Sequence, residues 1–247
     1  MSGRTGTGRT GADRTGTALV VVDLQNDFCT GQVARARFGG DGAVLEAVVA
    51  NSVLAVERAR RAGVEVVFVR FLGDTVHQGA AWRARDRRLG KRPKCLEGTW
   101  GAEFHGVAPE PGERVFTKRA CFDAFLGEGE GEGVGGGVGG GEGNGGGEGE
   151  GDGNRNGGGL EEHLRASGTG HLVLAGLYAD VCVDSTARTA FQKGFHLTVL
   201  TDCTTSLHLP HDDVLRFMRV LYGARTTTGD DPAAWTVPVD GEEPCTP

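Results

Sequence analysis

Ala18-Leu19-Val20-Val21-Val22 is an unbroken apolar run, mostly β-branched, that stops at a carboxylate, Asp23. A strand with one wet face alternates apolar and polar residues, so a continuous run of this length belongs to a strand covered on both faces, as in a parallel sheet between helical layers. The same kind of segment recurs at Glu65 to Phe71, Arg114 to Lys118, His171 to Ala175, His196 to Leu200 and, more weakly, Ala224 to Thr227. Helical spacing fills the intervals. Ala43 to Ala62 carries Leu45, Val49, Val53 and Val56 on one stripe and stops before Gly63, and Leu160 to Ala166, Val183 to Lys193 and His211 to Tyr222 alternate with the later strands. This succession predicts an α/β fold, a mostly parallel sheet with right-handed crossovers that is doubly wound.

At 247 residues the chain is long enough for one substantial core, expected over residues 17–228. Three segments carry no core pattern. Residues 1–16 repeat Arg, Thr and Gly, and residues 229–247 mix Pro, Asp and Glu, so both read as tails. Between Gly127 and Gly159 glycine alternates with Glu, Asn and Val, too few apolar groups to offset the entropy of ordering a backbone; it reads as a disordered insertion within one domain. That insertion holds seven acidic residues against Arg155, hence −6 of the chain's −7. The nearly neutral remainder predicts no nucleic-acid partner. No apolar run is long enough to span a membrane and no signal sequence opens the chain, so no membrane partner and a cytoplasmic location are expected. The six scattered cysteines, with no CxxC pair, then read as reduced thiols.

In open α/β sheets ligands bind beyond the carboxyl ends of the strands. Asp23 closes the first strand, Lys118 closes the third, and Cys182 follows the fourth after a six-residue turn, Gly176-Leu177-Tyr178-Ala179-Asp180-Val181. A cysteine at a helix start near an ammonium is disposed to form a thiolate, and a carboxylate beside it can carry a proton between thiol, leaving amine and water. Backbone N–H groups of Tyr178 and Cys182 are candidates for an oxyanion hole. Singly, each residue has another reading: Cys182 as a small core hydrophobe, Asp23 as a cap, Lys118 as a solvated charge. Their coincidence on one sheet rim favours chemistry.

These residues lie in three motifs that resemble the isochorismatase-like superfamily, within it the cysteine-hydrolase branch of nicotinamidases, N-carbamoylsarcosine amidases, ureidoacrylate amidohydrolases and streptothricin hydrolases. The motifs are Val21-Val22-Asp23-Leu24-Gln25-Asn26-Asp27-Phe28, the stretch from Gly98-Thr99-Trp100-Gly101 through Pro109-Glu110-Pro111-Gly112-Glu113 to Lys118, and Gly176 to Ala187 around Cys182. The resemblance implies a three-layer fold on a six-stranded sheet, an Asp23-Lys118-Cys182 triad, a thioester intermediate, a cis peptide at Leu177-Tyr178 and a homo-oligomer. It implies a small-molecule amide, ureide or lactam as substrate and no cofactor. Ether hydrolysis of the isochorismatase type and a catalytically silent, partner-binding member are the alternatives. Ala179-Asp180 departs from the Thr-Asn of many cysteine hydrolases. Asp74 and His77 do not fit the Asp-x-His metal pattern of nicotinamidases, so no metal is expected and both read as loop residues. Gln25, Phe28, Trp100, Phe122 and Tyr178 are the candidate substrate-binding residues, with Asp184 as a further orienting group; Cys29, Cys95, Cys121 and Cys203 are expected to be structural.

Overall fold

Burial on both faces, which the apolar runs demand, is met by a central sheet between two helical layers. The computed structural model describes residues 16–38, 42–129 and 159–238. The strands are β1 (Gly16–Val22), β2 (Glu65–Phe71), β3 (Arg114–Lys118), β4 (Glu128–Gly129), β5 (Thr169–Gly176), β6 (His196–Leu200) and β7 (Arg225–Thr227), in the order β4-β3-β2-β1-β5-β6-β7. Six of them are parallel, as expected; β4 adds an antiparallel edge pair against Phe116 and Thr117 of β3. The helices are α1 (Asn26–Cys29), α2 (Gln32–Phe38), α3 (Ala43–Arg61), α4 (Ala80–Arg88), α5 (Leu160–Ala166), α6 (Asp184–Gln192) and α7 (His211–Tyr222).

Period-two alternation along β1 divides the core. Val20 and Val22 face a cluster with Leu172 and Leu174 of β5 and with apolar residues of α5, α6 and α7, whereas Leu19 and Val21 face a second cluster with Phe68, Val173 and the buried stripe of α3. Chain order reverses direction across the sheet between β1 and β5, since β2 and β3 lie on one side and β6 and β7 on the other. That switch point opens a crevice at the carboxyl ends of β1 and β5. Among the described residues no helix is long and apolar enough to cross a membrane.

Two expected boundaries move. Glu128–Gly129 pairs as a strand inside the segment read as coil from residue 127, because even two residues can complete an edge ladder through backbone groups alone. The closing tail begins later than residue 229: Asp202 accepts a hydrogen bond from the Gly229 N–H at 2.9 Å, Asp231 caps the short helix Pro232–Trp235, and Ala234 is fully buried. Residues 1–15, 130–158 and 239–247, where the rest of these three segments fall, lie outside the described residues.

Candidate active site

The end of β1 turns sharply. Asp23 has φ +51°, and its N–H donates to the Val69 carbonyl at 2.9 Å, which holds the residue against β2. Beside it β5 ends at Gly176, at φ +109°; a Cβ there would lie 2.0 Å from the Val22 carbonyl oxygen, so only glycine lets the two strand ends meet this closely. The next peptide, Leu177–Tyr178, is cis. The chain then makes a single π-helical turn, Ala179–Val183, that runs into α6 and carries Cys182.

Asp23 and Lys118 are wholly buried and Cys182 nearly so. Lys118 Nζ lies 2.7 Å from Asp23 Oδ2 and donates a 2.7 Å hydrogen bond to the Phe122 carbonyl. Burial raises the Asp23 pKa, with the Lys118 charge and contact with the Cys182 thiol pulling the other way. The Cys182 thiol is pushed up by burial and by the Asp23 charge, against the pull of Lys118. For Lys118, burial disfavours the ammonium, but the Asp23 charge and Cys182 outweigh it and its pKa moves up. Burial thus favours the protonated form of the thiol, which lies against the Asp23–Lys118 pair.

A cavity of about 660 Å³ opens onto Cys182. Phe28, Phe122 and Tyr178 line it, together with Phe71, Leu177 and Val181. The Tyr178 hydroxyl donates to the Phe28 carbonyl at 2.6 Å, and its ring meets Phe28 edge-on and stacks on Phe38, both at 6.2 Å. Two predicted pocket residues are elsewhere. Trp100 is not part of the cavity wall; its ring is more than half exposed and its carbonyl accepts from Asn26 Nδ2. Gln25 is buried with its amide spent on backbone: Nε2 donates to the carbonyls of Phe71 and Ala102, and Oε1 accepts from the Phe71 N–H. Gln25 thus ties the ends of β1 and β2 together and is not part of the cavity wall.

The remaining motif residues have structural work. Asp180 accepts three backbone N–H groups, from Leu207, His208 and Leu209, which fixes a loop on the cavity wall. Asp184 accepts from the Tyr222 hydroxyl at 2.8 Å, joining α6 to α7. Asp74 pairs with His77 and Arg119 on the surface, and no group of three or more metal-ligating side chains exists among the described residues. The five cysteines among the described residues form no disulfide. Sequence reasoning missed Trp82, which stacks on Phe71 and packs on Phe122 behind the cavity, and the cations of α4 and the loop after it. An Arg-rich helix without apolar spacing gives no signal of a site.

A family model described as the isochorismatase domain matches residues 17–130 and 155–231. The chain belongs to the isochorismatase family. Its sequence relatives include the ureidoacrylate amidohydrolases RutB of Pantoea ananatis, 27% identical over 76% of this chain and 68% of that protein, and of Variovorax paradoxus, 29% identical over 77% and 69%. The fold is shared with N-carbamoylsarcosine amidase from Thermoplasma acidophilum, at a TM-score of 0.62 and 24% identity over 87% of this chain and 98% of that one. Nicotinamidase PncA from Bacillus subtilis superposes at a TM-score of 0.58, with 22% identity over 85% and 98%.

Proposed function

We propose that this member of the isochorismatase family is a cysteine hydrolase that opens a C–N bond of a small amide, ureide or lactam through a thioester on Cys182. Hydrolysis of C–N bonds is the activity named for its amidohydrolase relatives. The observation that supports the finer reading is a thiol on the cavity wall whose electrostatic partners are a buried carboxylate of raised pKa and the buried ammonium paired with it.

The chemistry follows from the proton inventory. Asp23, made more basic by burial, takes the Cys182 proton as sulfur attacks the acyl carbon. The oxyanion that forms is met by the backbone N–H groups of Tyr178 and Cys182, donors worth roughly 3 kcal/mol each in such sites. As the C–N bond breaks, protonated Asp23 gives its proton to the departing nitrogen and the acyl group stays on sulfur. Asp23 then takes a proton from water, whose oxygen attacks the thioester; the C–S bond breaks and sulfur regains a proton. Lys118 remains an ammonium throughout, holding Asp23 in place and stabilising the transient thiolate.

The partners in this reading are a small-molecule substrate and a second copy of the chain, the latter favoured by the exposed apolar residues Phe217, Val220 and Leu221 on α7. Sedimentation of the intact protein tests the second copy: a monomer at all concentrations would remove it. Turnover of an amide, ureide and lactam panel tests the chemistry. Cys182→Ala should abolish hydrolysis; turnover of the panel that survives this substitution would contradict a covalent step on Cys182.

A further inference from the structure

The cavity above Cys182 is electrically one-sided. Arg37, Arg85, Lys91, Arg92 and Lys94 contribute to its wall, and among the described residues no Asp or Glu does. Arg85 is already engaged: Asp86 accepts its Nε and Nη2, and its guanidinium lies over the Trp82 ring at 4.5 Å. Arg37 donates to the Leu207 carbonyl. Lys91, Arg92 and Lys94 have no carboxylate at ion-pair distance among the described residues.

Lys94 is the most constrained of the three. It is half-buried, and burial together with repulsion from Lys91 lowers its pKa against the pull of Asp86, whose carboxylate is held by Arg85 and not within ion-pair distance of Lys94. Its backbone is locked from both sides. The Gly73 N–H donates to the Cys95 carbonyl at 3.1 Å, and the Cys95 N–H donates to Asp27 Oδ2 at 2.7 Å. A Cβ on Gly73 would come within 2.2 Å of the Lys94 carbonyl oxygen, so glycine there permits the close approach. A motif carboxylate, Asp27, thereby fixes the backbone that carries the Lys94 ammonium on the wall of the cavity that reaches the thiol.

Resting on the amidohydrolase reading, we propose that the substrate carries an anionic group away from its scissile C–N bond, a carboxylate or a similar oxyanion, which pairs with Lys94 and is drawn in by Lys91 and Arg92. A wall of one sign concentrates such substrates at the mouth and repels cationic ones. A charge-assisted contact at Lys94 would discriminate a charged from a neutral head by about tenfold or more.

The test uses pairs of N-carbamoyl and N-acyl amino acids and their methyl esters. Their binding to Cys182→Ala is measured by calorimetry, and their hydrolysis is followed with the wild type. The acid of at least one pair should bind at least about tenfold tighter than its ester, with a preference that declines as salt is raised. Lys94→Gln should reduce that preference about tenfold and Arg92→Gln by a smaller factor, while Arg87→Gln, outside the cavity wall, should keep it. Circular dichroism of each variant reports folding, and Arg92→Gln at an exposed position keeps the test valid if Lys94→Gln does not fold. No pair in which the acid exceeds the ester, or a preference insensitive to both Lys94→Gln and Arg92→Gln, would overturn the inference. Acid-selective binding without turnover of any pair would instead sustain it and count against the hydrolase reading.

Discussion

At the scale of the residue, Asp23, Lys118 and Cys182 shift one another's pKa. In the proposed mechanism Asp23 is ionised when it accepts the thiol proton, and burial raises its pKa, so kcat/KM should fall on the acid side at a pH above the usual carboxylate range. Lys118 pulls that pKa down, and Lys118→Met should therefore move the acid limb of the residual activity to higher pH; a limb that stays in place would argue that Lys118 does not act on Asp23. Asp23→Asn, which removes the proposed base, should cost about 10²–10⁴-fold in kcat/KM. The three residues were legible in the sequence because each stands at or just after a strand end. Gln25 and Trp100 were misread because nearness in sequence says nothing about side-chain direction: the Gln25 amide turns to the backbone of Phe71 and Ala102, and Trp100 turns outward.

At the scale of the element, the strands were readable since burial on both faces forces continuous apolar runs, whereas α4 was not, because Ala80–Arg88 has no buried residue to impose a period. One polar rung crosses the centre of the sheet. His171 of β5 is fully buried between Thr17 Oγ1 of β1 at 3.1 Å and Thr198 Oγ1 of β6 at 2.8 Å. Burial, with repulsion from Arg225 and His196, lowers its pKa to about 4. The unfolded chain binds that proton near pH 6.5, as an ordinary histidine does, so the stability present above about pH 6.5 is lost as pH falls towards 4. The loss should approach about 3 kcal/mol, on 1.36 kcal/mol per pH unit. Urea midpoints at pH 7 and pH 4.5 should differ accordingly, and His171→Gln should flatten the difference; an equal slope in the variant would contradict the assignment. Gly176→Ala forces a Cβ onto the Val22 carbonyl and should destabilise by roughly 3 kcal/mol or more, read from the same urea curves.

At the scale of the whole molecule, the switch between β1 and β5 gathers residues from three strand ends into one crevice, and the excursions between elements supply its walls. Those walls were the illegible part, since the lining from α4 and residues 89–94 depends on how long loops fold back over the sheet. The family match skips residues 131–154, which are rich in Gly and Glu. Replacing them with a short Gly-Ser linker should leave the melting temperature within a few degrees; a large drop would make them part of the fold. The central claim, a covalent acyl group on Cys182, is read most directly by intact-mass spectrometry of protein quenched during turnover of the amide, ureide and lactam panel. One acyl adduct on the wild type, located to Cys182 and absent from Cys182→Ala, is the predicted result; turnover with no adduct, or an adduct that persists in Cys182→Ala, would contradict it.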